Sequence, residues 1–357
     1  MGSVVHLDIP FRQTTRQARQ SALIQCFARE RRPETDVFWL KENAEVLNIM
    51  VSTGTTLPRE ALSPFDAVYD SLDRRLGFFP QYYRFLLSLG LDLEDLGLAG
   101  TKASRAAEWV ASEGLVGAEL SDLQRAEARR LCLRRGVDPV SGDAGLDDRL
   151  RAFGSRRATF ALPNKKAAYE LTHIVFYLSE YGQRDPDLPA AFVESLTFAG
   201  TIAFLEMNLD LLAEVCIALR FAGQVPPQTW ERWLAAQARN FVLEADATGW
   251  MSDDYHPYLM VQWFLTTAGL GGFGAALPEG GVRFTAPKPH AAPLRELSEC
   301  IYRLDGVRNS DWSAMRHLVD PHLSLEARDV VEAAESAIDF DAFFHDFSRA
   351  SAQELLA

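Results

Sequence analysis

Along this chain apolar residues recur at three- and four-residue spacing through stretch after stretch, which is the period of an amphipathic helix. "DVFWLKENAEVLNIMVSTG" closes on Gly54, "QYYRFLLSLGLDLEDLG" on Gly97 and "QRAEARRLCLRRG" on Gly136. "AAYELTHIVFYLSEYG" closes on Gly182, "LDLLAEVCIALRFAG" on Gly223, "PYLMVQWFLTTAG" on Gly269 and "LRELSECIYRLDG" on Gly306. A glycine at such a place supplies the left-handed residue that ends many helices, at no cost from a β-carbon. Period-two alternation is nearly absent, and no Asn-Gly turn joins two β-rich runs.

The glycines return about every 40 residues, enough for two helices and two turns. Stretches 59–76, 102–113, 143–153, 188–204 and 227–246 lie between them and carry more charge, as outer helices packed on an apolar inner layer would. Breaks fall at "DPVSGDAG", "FGSRRATFALPNKK" and "GGFGAALPEGGVRFTAPKPHAAP". The pattern predicts an all-α fold of repeated helical hairpins. Polar residues at fixed depth among large aromatics favour closure into an α/α toroid over an irregular helical bundle or a HEAT-like solenoid. The chain reads as a single all-α domain over 1–357, with an N-terminal tail at 1–14, a Gly/Pro-rich loop at 271–293 and a C-terminal helical segment at 294–357.

Composition narrows the setting. Of 357 residues 48% are hydrophobic, so the chain can bury a substantial core. Apolar runs are broken by charge well before the roughly 20 residues of a membrane span, and "GSVVHLDIPFRQTTRQ" lacks the pattern of a secretory signal. The expectation is a cytoplasmic protein without a membrane span. Cys26, Cys132, Cys216 and Cys300 lie far apart, which argues for reduced, buried thiols rather than disulfides or a thiolate zinc cluster. A formal charge of −13 disfavours nucleic acid as a partner, and the short basic stretches, such as "FARERRPE" and "RRLCLRRG", read as solvated faces.

Candidate chemistry comes from counting back from the terminal glycines, because equal offsets on equivalent helices lie at similar depth. Nine residues before them stand Glu45, Glu127, His173 and Glu214; one turn earlier stand Lys41, Asp210 and His256. Glu42 and Glu170 occupy the neighbouring offset of twelve. His173, Asp210, Glu214 and His256 come from three consecutive inner helices and would converge in a closed ring. As acid–base machinery the candidates are His173, Glu170, Asp210 and Glu214, with a carboxylate adjusting the imidazole. As metal ligands they are His173, His256, Asp210 and Glu214, a donor set for zinc, iron or manganese. A carboxylate-bridged dimetal oxygenase is a third reading, from "ELTH" (Glu170, His173) and "DDYH" (Asp253, His256). In "DDYHPYL", Pro257 suits a first helical position, with His256 or Asp254 as the cap. "DLED" at 92–95 reads as a solvated helix end. Dinucleotide-binding, P-loop, H-E-x-x-H and G-x-S-x-G motifs are missing.

These features point to an enzyme of cyclase, lyase or hydrolase type acting on a small apolar or peptide-like substrate. The alternative is a non-catalytic helical repeat protein that binds a partner on its concave face.

The stretches "FWLKENAEVLNI", "LGFFPQYYRFLLSLGLDLEDLGL", "FALPNKKAAYELTHIVFYLSEYG" and "DDYHPYL" resemble an uncharacterised alphaproteobacterial family of unknown function, which implies no activity. More loosely, the ring of helical hairpins is similar to the toroids of lanthionine cyclases, prenyltransferase β subunits and glycosidase families. The Asp/Cys/His and Cys/Cys/His zinc motifs of the first two have no counterpart here.

Overall fold

A computed structural model describes residues 13–246 and 252–350, so most of the expected tail at 1–14 lies outside the described residues. The chain is all-α in class, with two short strands among the described residues. Its contacts gather into two compact units, one formed by 1–109, 242–254 and 271–285, the other by 110–241, 255–270 and 286–357. Residues 242–254 and 271–285 belong to the N-terminal unit, while 255–270 between them belong to the second.

The N-terminal unit contains α1 (Arg16–Gln25), α2 (Val37–Ser52) and α3 (Tyr83–Asp95), with α2 packed along α3. Stretch 59–76, expected as one helix, is broken into Arg59–Leu62, Asp66–Asp70 and the start of Leu72–Phe78. The expected helix over 227–246 stops at Gln237, and the chain then forms β1 (Val242–Ala245). β1 pairs antiparallel with β2 (Val282–Thr285), Val242 opposite Thr285, so the Gly/Pro-rich stretch 271–293 holds a strand.

A five-residue π turn, Cys26–Glu30, follows α1. Its loosened carbonyls are bound by side chains of α2: Asn43 Nδ2 donates to Phe27 O at 3.1 Å and Trp39 Nε1 to Ala28 O at 3.0 Å. The turn delivers Arg31 into the interior, where its side chain is 2% exposed. There Arg31 donates to Glu42 Oε2 at 3.0 Å, to both oxygens of Asp253 at 2.8 Å and to Val282 O at 2.8 Å. The rings of Phe27 and Phe284 stand 5.0 and 5.2 Å from its guanidinium. Arg32 holds the other oxygen of Glu42 at 2.6 Å. Within "FARERRPE", Arg29, Glu30 and Pro33 stay exposed, but Arg31 forms a buried clasp, because Glu42, Asp253 and the rings of Phe27 and Phe284 satisfy its guanidinium.

"DLED" also departs from expectation. Asp92 is buried, and Glu94 accepts from Tyr69 OH at 2.6 Å and from Ala103 N at 2.8 Å, which caps the start of the next helix. The carboxylates are consumed by local structure.

In the second unit the principal helices are α4 (Asp122–Leu133), α5 (Lys165–Leu178), α6 (Ala190–Leu205), α7 (Leu209–Phe221), α8 (Gln228–Gln237) and α9 (Tyr255–Thr267). α7 packs against α5, α6, α8 and α9, and α4 packs against α5. α6 was expected among the charged outer helices. It is instead buried on nearly every side, with Phe192, Phe198, Phe204 and Leu196 inside. It also packs against the C-terminal helices Pro293–Leu304 and Leu325–Glu335.

Six of the seven predicted glycines have positive φ: Gly54, Gly97, Gly136, Gly182, Gly223 and Gly269. After Gly54, Gly97, Gly223 and Gly269 the next N–H returns to a carbonyl five residues back, as from Gln224 to Leu219 at 2.8 Å. The turn near Gly306 puts its positive φ on Asp305 instead. Helix α5 ends early, on left-handed Glu180, whose follower Tyr181 donates to Phe176 O at 2.8 Å.

The four cysteines are free and buried. Burial pushes the Cys26 thiol up to about 11 and the Cys132 thiol up to about 12, so both stay protonated. Among the described residues no helix is long and apolar enough to cross a membrane.

Candidate functional site

Three neighbouring helices of the second unit bring the predicted residues together. Asn164 starts α5 by accepting from Ala167 N, and Asn208 starts α7 by accepting from Leu211 N. These caps set the rotation of both helices, and the apolar stripes that face each other fix their packing. His173 then projects from α5, Asp210 and Glu214 from successive turns of α7, and His256 from the first turn of α9. α9 begins at Tyr255, so Pro257 is its third residue and stands where a missing N–H costs nothing.

Glu214 lies at the bottom of the cluster, its side chain 2% exposed, while the two imidazoles above it are 36% and 35% exposed. His173 Nδ1 stands 3.8 Å from Glu214 Oε2. His256 Nε2 stands 3.7 Å from Glu214 Oε1 and 3.6 Å from Asp210 Oδ2. Tyr169 OH donates to Asp210 Oδ2 at 2.7 Å. Burial first, and the adjoining Asp210 second, push the Tyr169 phenol well above its ordinary range, so it remains a donor.

The histidine on α5 has a defined tautomer. Its Nδ1 lies 2.7 Å from the carbonyl oxygen of Tyr169, and a carbonyl can only accept, so Nδ1 carries the hydrogen. In the neutral ring Nε2 is then the basic nitrogen. The rings of Phe176 and Tyr177 lie 5.6 and 5.8 Å from the imidazole and give that side an apolar wall.

Thr172 ties the carboxylate to this arrangement. Its hydroxyl is 2.6 Å from Glu214 Oε2 and 2.9 Å from Tyr169 O, yet one hydrogen serves only one acceptor at a time. The shorter contact takes it: Thr172 donates to Glu214 Oε2 and holds that carboxyl in place. Burial pushes the Glu214 carboxyl above its ordinary range, against the lowering effect of His173, His256 and Thr172.

The structure brings His173, Asp210, Glu214 and His256 into one cluster. Glu170 is half-buried on α5 and takes no part in these contacts. Asp253, proposed for a second dimetal unit, belongs with Arg31 to the N-terminal unit and gives it both oxygens. Among the described residues no group of three or more His, Cys, Asp or Glu side chains is arranged to hold a metal ion. Tyr169 and Thr172 were not anticipated. Tyr169 stands thirteen residues before Gly182, the same offset as Asp210 and His256 on their helices, so the signal was present.

The family model described as "Domain of unknown function (DUF6902)" matches residues 1–350. No curated protein and no solved structure matches the chain.

Proposed function

The chain belongs to the DUF6902 family, and we propose that it is an enzyme that moves protons at the histidine–carboxylate cluster of its second unit. His173 Nε2 is the base toward the substrate. Glu214, too deep to touch a substrate, balances the charge of whichever imidazole takes up a proton, in the manner of an orienting acid. Asp210 does the same for His256 and is itself held by Tyr169. The aromatic wall beside His173 fits a small substrate with an apolar part, and the reaction type is hydrolytic, eliminative or cyclising. The observation that carries this reading is the wholly buried carboxylate beneath two partly exposed imidazoles.

Proton transfer is favoured over metal ligation by the use each nitrogen already has. His173 Nδ1 is committed to the Tyr169 carbonyl, and His256 Nε2 lies between two carboxylates, where it can hold a proton for both. The test is a long-range 1H–15N spectrum of the imidazoles, with elemental analysis of the same sample. A neutral His173 carrying its hydrogen on Nδ1 supports the reading. Hydrogen on Nε2 would overturn it. So would stoichiometric zinc, iron or manganese that disappears in His256→Gln, since the cluster would then be a ligand set.

A further inference from the structure

We infer that Arg130 anchors a binding site for a small organic carboxylate, in which the chain's own Glu180 is the resident acid. Arg130 projects from α4 and is 6% exposed, with its guanidinium 4.6 Å from the Tyr181 ring centroid and 5.9 Å from that of Tyr177. The sequence suggested a solvated face for "RRLCLRRG", and this side chain lies inside.

Unlike the equally buried Arg31, it is poorly satisfied. Arg31 makes four hydrogen bonds of 2.8–3.0 Å. Arg130 meets Glu180 Oε2 through Nη1 at 3.6 Å, beyond good hydrogen-bond length, and its buried Nε has no hydrogen-bond partner. A buried N–H without an acceptor is costly, and native structures keep few of them without a use. A carboxylate placed with both oxygens on the guanidinium satisfies it better than the single long contact of Glu180.

The surroundings form a cleft. Arg129, Asp147, Tyr177 and Arg184 line it together with Arg130 and Glu180. Arg129 is held by Asp138 at 2.9 Å, so it is a wall rather than a ligand group. Arg184, half-exposed, stands 3.9 Å from Glu180 Oε1 and supplies an outer positive charge. Glu180 and Tyr181, with left-handed φ of 50° and 54°, form the turn that ends α5 beside this cleft. The Glu180 carboxyl is pushed up by burial despite the arginines around it. An incoming carboxylate that engages two guanidinium donors together is a better acceptor, and it takes the place Glu180 leaves on swinging toward solvent.

The inference is independent of the acid–base reading, because its test reads binding alone. The full chain is titrated with benzoate, succinate and inorganic phosphate, followed by calorimetry and by amide shifts. The expected result is binding of a carboxylate probe, with shifts centred on Tyr177 and Tyr181. Arg130→Lys, which keeps the charge and loses the fork, weakens it about tenfold or more. Glu180→Gln removes the competing acid and tightens it several-fold. Stronger binding of phosphate than of either carboxylate would overturn the assignment, as would shifts centred elsewhere. Failure of both the wild-type chain and a folded Glu180→Gln variant to bind either carboxylate would make the pair a structural one. Glu180→Gln decides the matter alone if Arg130→Lys does not fold.

Discussion

Tyr169 on α5 donates its phenolic hydrogen to Asp210 Oδ2 on α7 at 2.7 Å. The bond joins two helices and fixes the carboxylate that faces His256. Replacing the tyrosine with phenylalanine keeps the ring and removes the donor. Tyr169→Phe is expected to lose about 1.5–3 kcal/mol of unfolding free energy, the range for a hydrogen bond to a charged group. Chemical denaturation checks this, and an unchanged midpoint would show that Asp210 finds another donor.

Glu214 gives the chain a pH-dependent weakness. Its folded carboxyl is raised above the ordinary value of 4.5, so the folded chain keeps a proton that the unfolded chain has already lost. Where the folded state binds more protons, stability falls as pH rises, here from 4.5 upward. Glu214→Gln cannot ionise. Its melting temperature relative to wild type is expected to improve between about pH 4 and about pH 7.5. A steady or worsening difference over that interval would contradict the assigned shift.

In the N-terminal unit, Arg31 links the end of the π turn to Glu42 of α2, to Asp253 and to β2. Removing one partner from a buried pair leaves the others charged and unpaired. Arg31→Ala is expected to cost about 3–5 kcal/mol, and Arg31→Lys to restore little of it, since lysine cannot bind both Asp253 oxygens as a fork. Thermal unfolding of the two variants measures this; a small loss in Arg31→Ala would mean that water replaces the guanidinium.

Gly200 of α6 lies against Trp230 of α8. A β-carbon there would stand 2.5 Å from Cζ3 of the fully buried Trp230 and 3.0 Å from Val215. Gly200→Ala must displace the indole, at about 1–3 kcal/mol for an overpacked core. Denaturant titration with tryptophan fluorescence reads both the loss and its site, and an unchanged Trp230 environment would contradict the packing.

Helix positions were legible because their signal is local. The glycine after α7 sits where the apolar period stops, and Asn208 sits where it begins. Convergence of His173, Asp210, Glu214 and His256 was legible because equal offsets from helix ends survive small errors. At α5 the left-handed terminus falls at Glu180, two residues early, a displacement of roughly 3 Å along the axis that side chains can span. What stayed hidden depends on distant pairing. Nothing near Arg31 in sequence announces Asp253 or Phe284, and nothing near Arg130 announces Glu180 and the aromatic rings beside it. Residues 242–245 and 282–285 are too short to show a strand period, and only their pairing makes them strands. α6 misled because a helix apolar on all sides carries no face to read.

Turnover shows whether His173 Nε2 acts as a base toward substrate. Wild type and His173→Gln are assayed against small esters, amides, peptides and hydroxy acids prone to elimination, with folding verified by circular dichroism. The account predicts that wild type turns over at least one class, and that the rate falls by about a hundredfold or more in the folded variant. Equal rates in both proteins, or no turnover of any class by wild type, would contradict it and favour a helical scaffold that binds a partner.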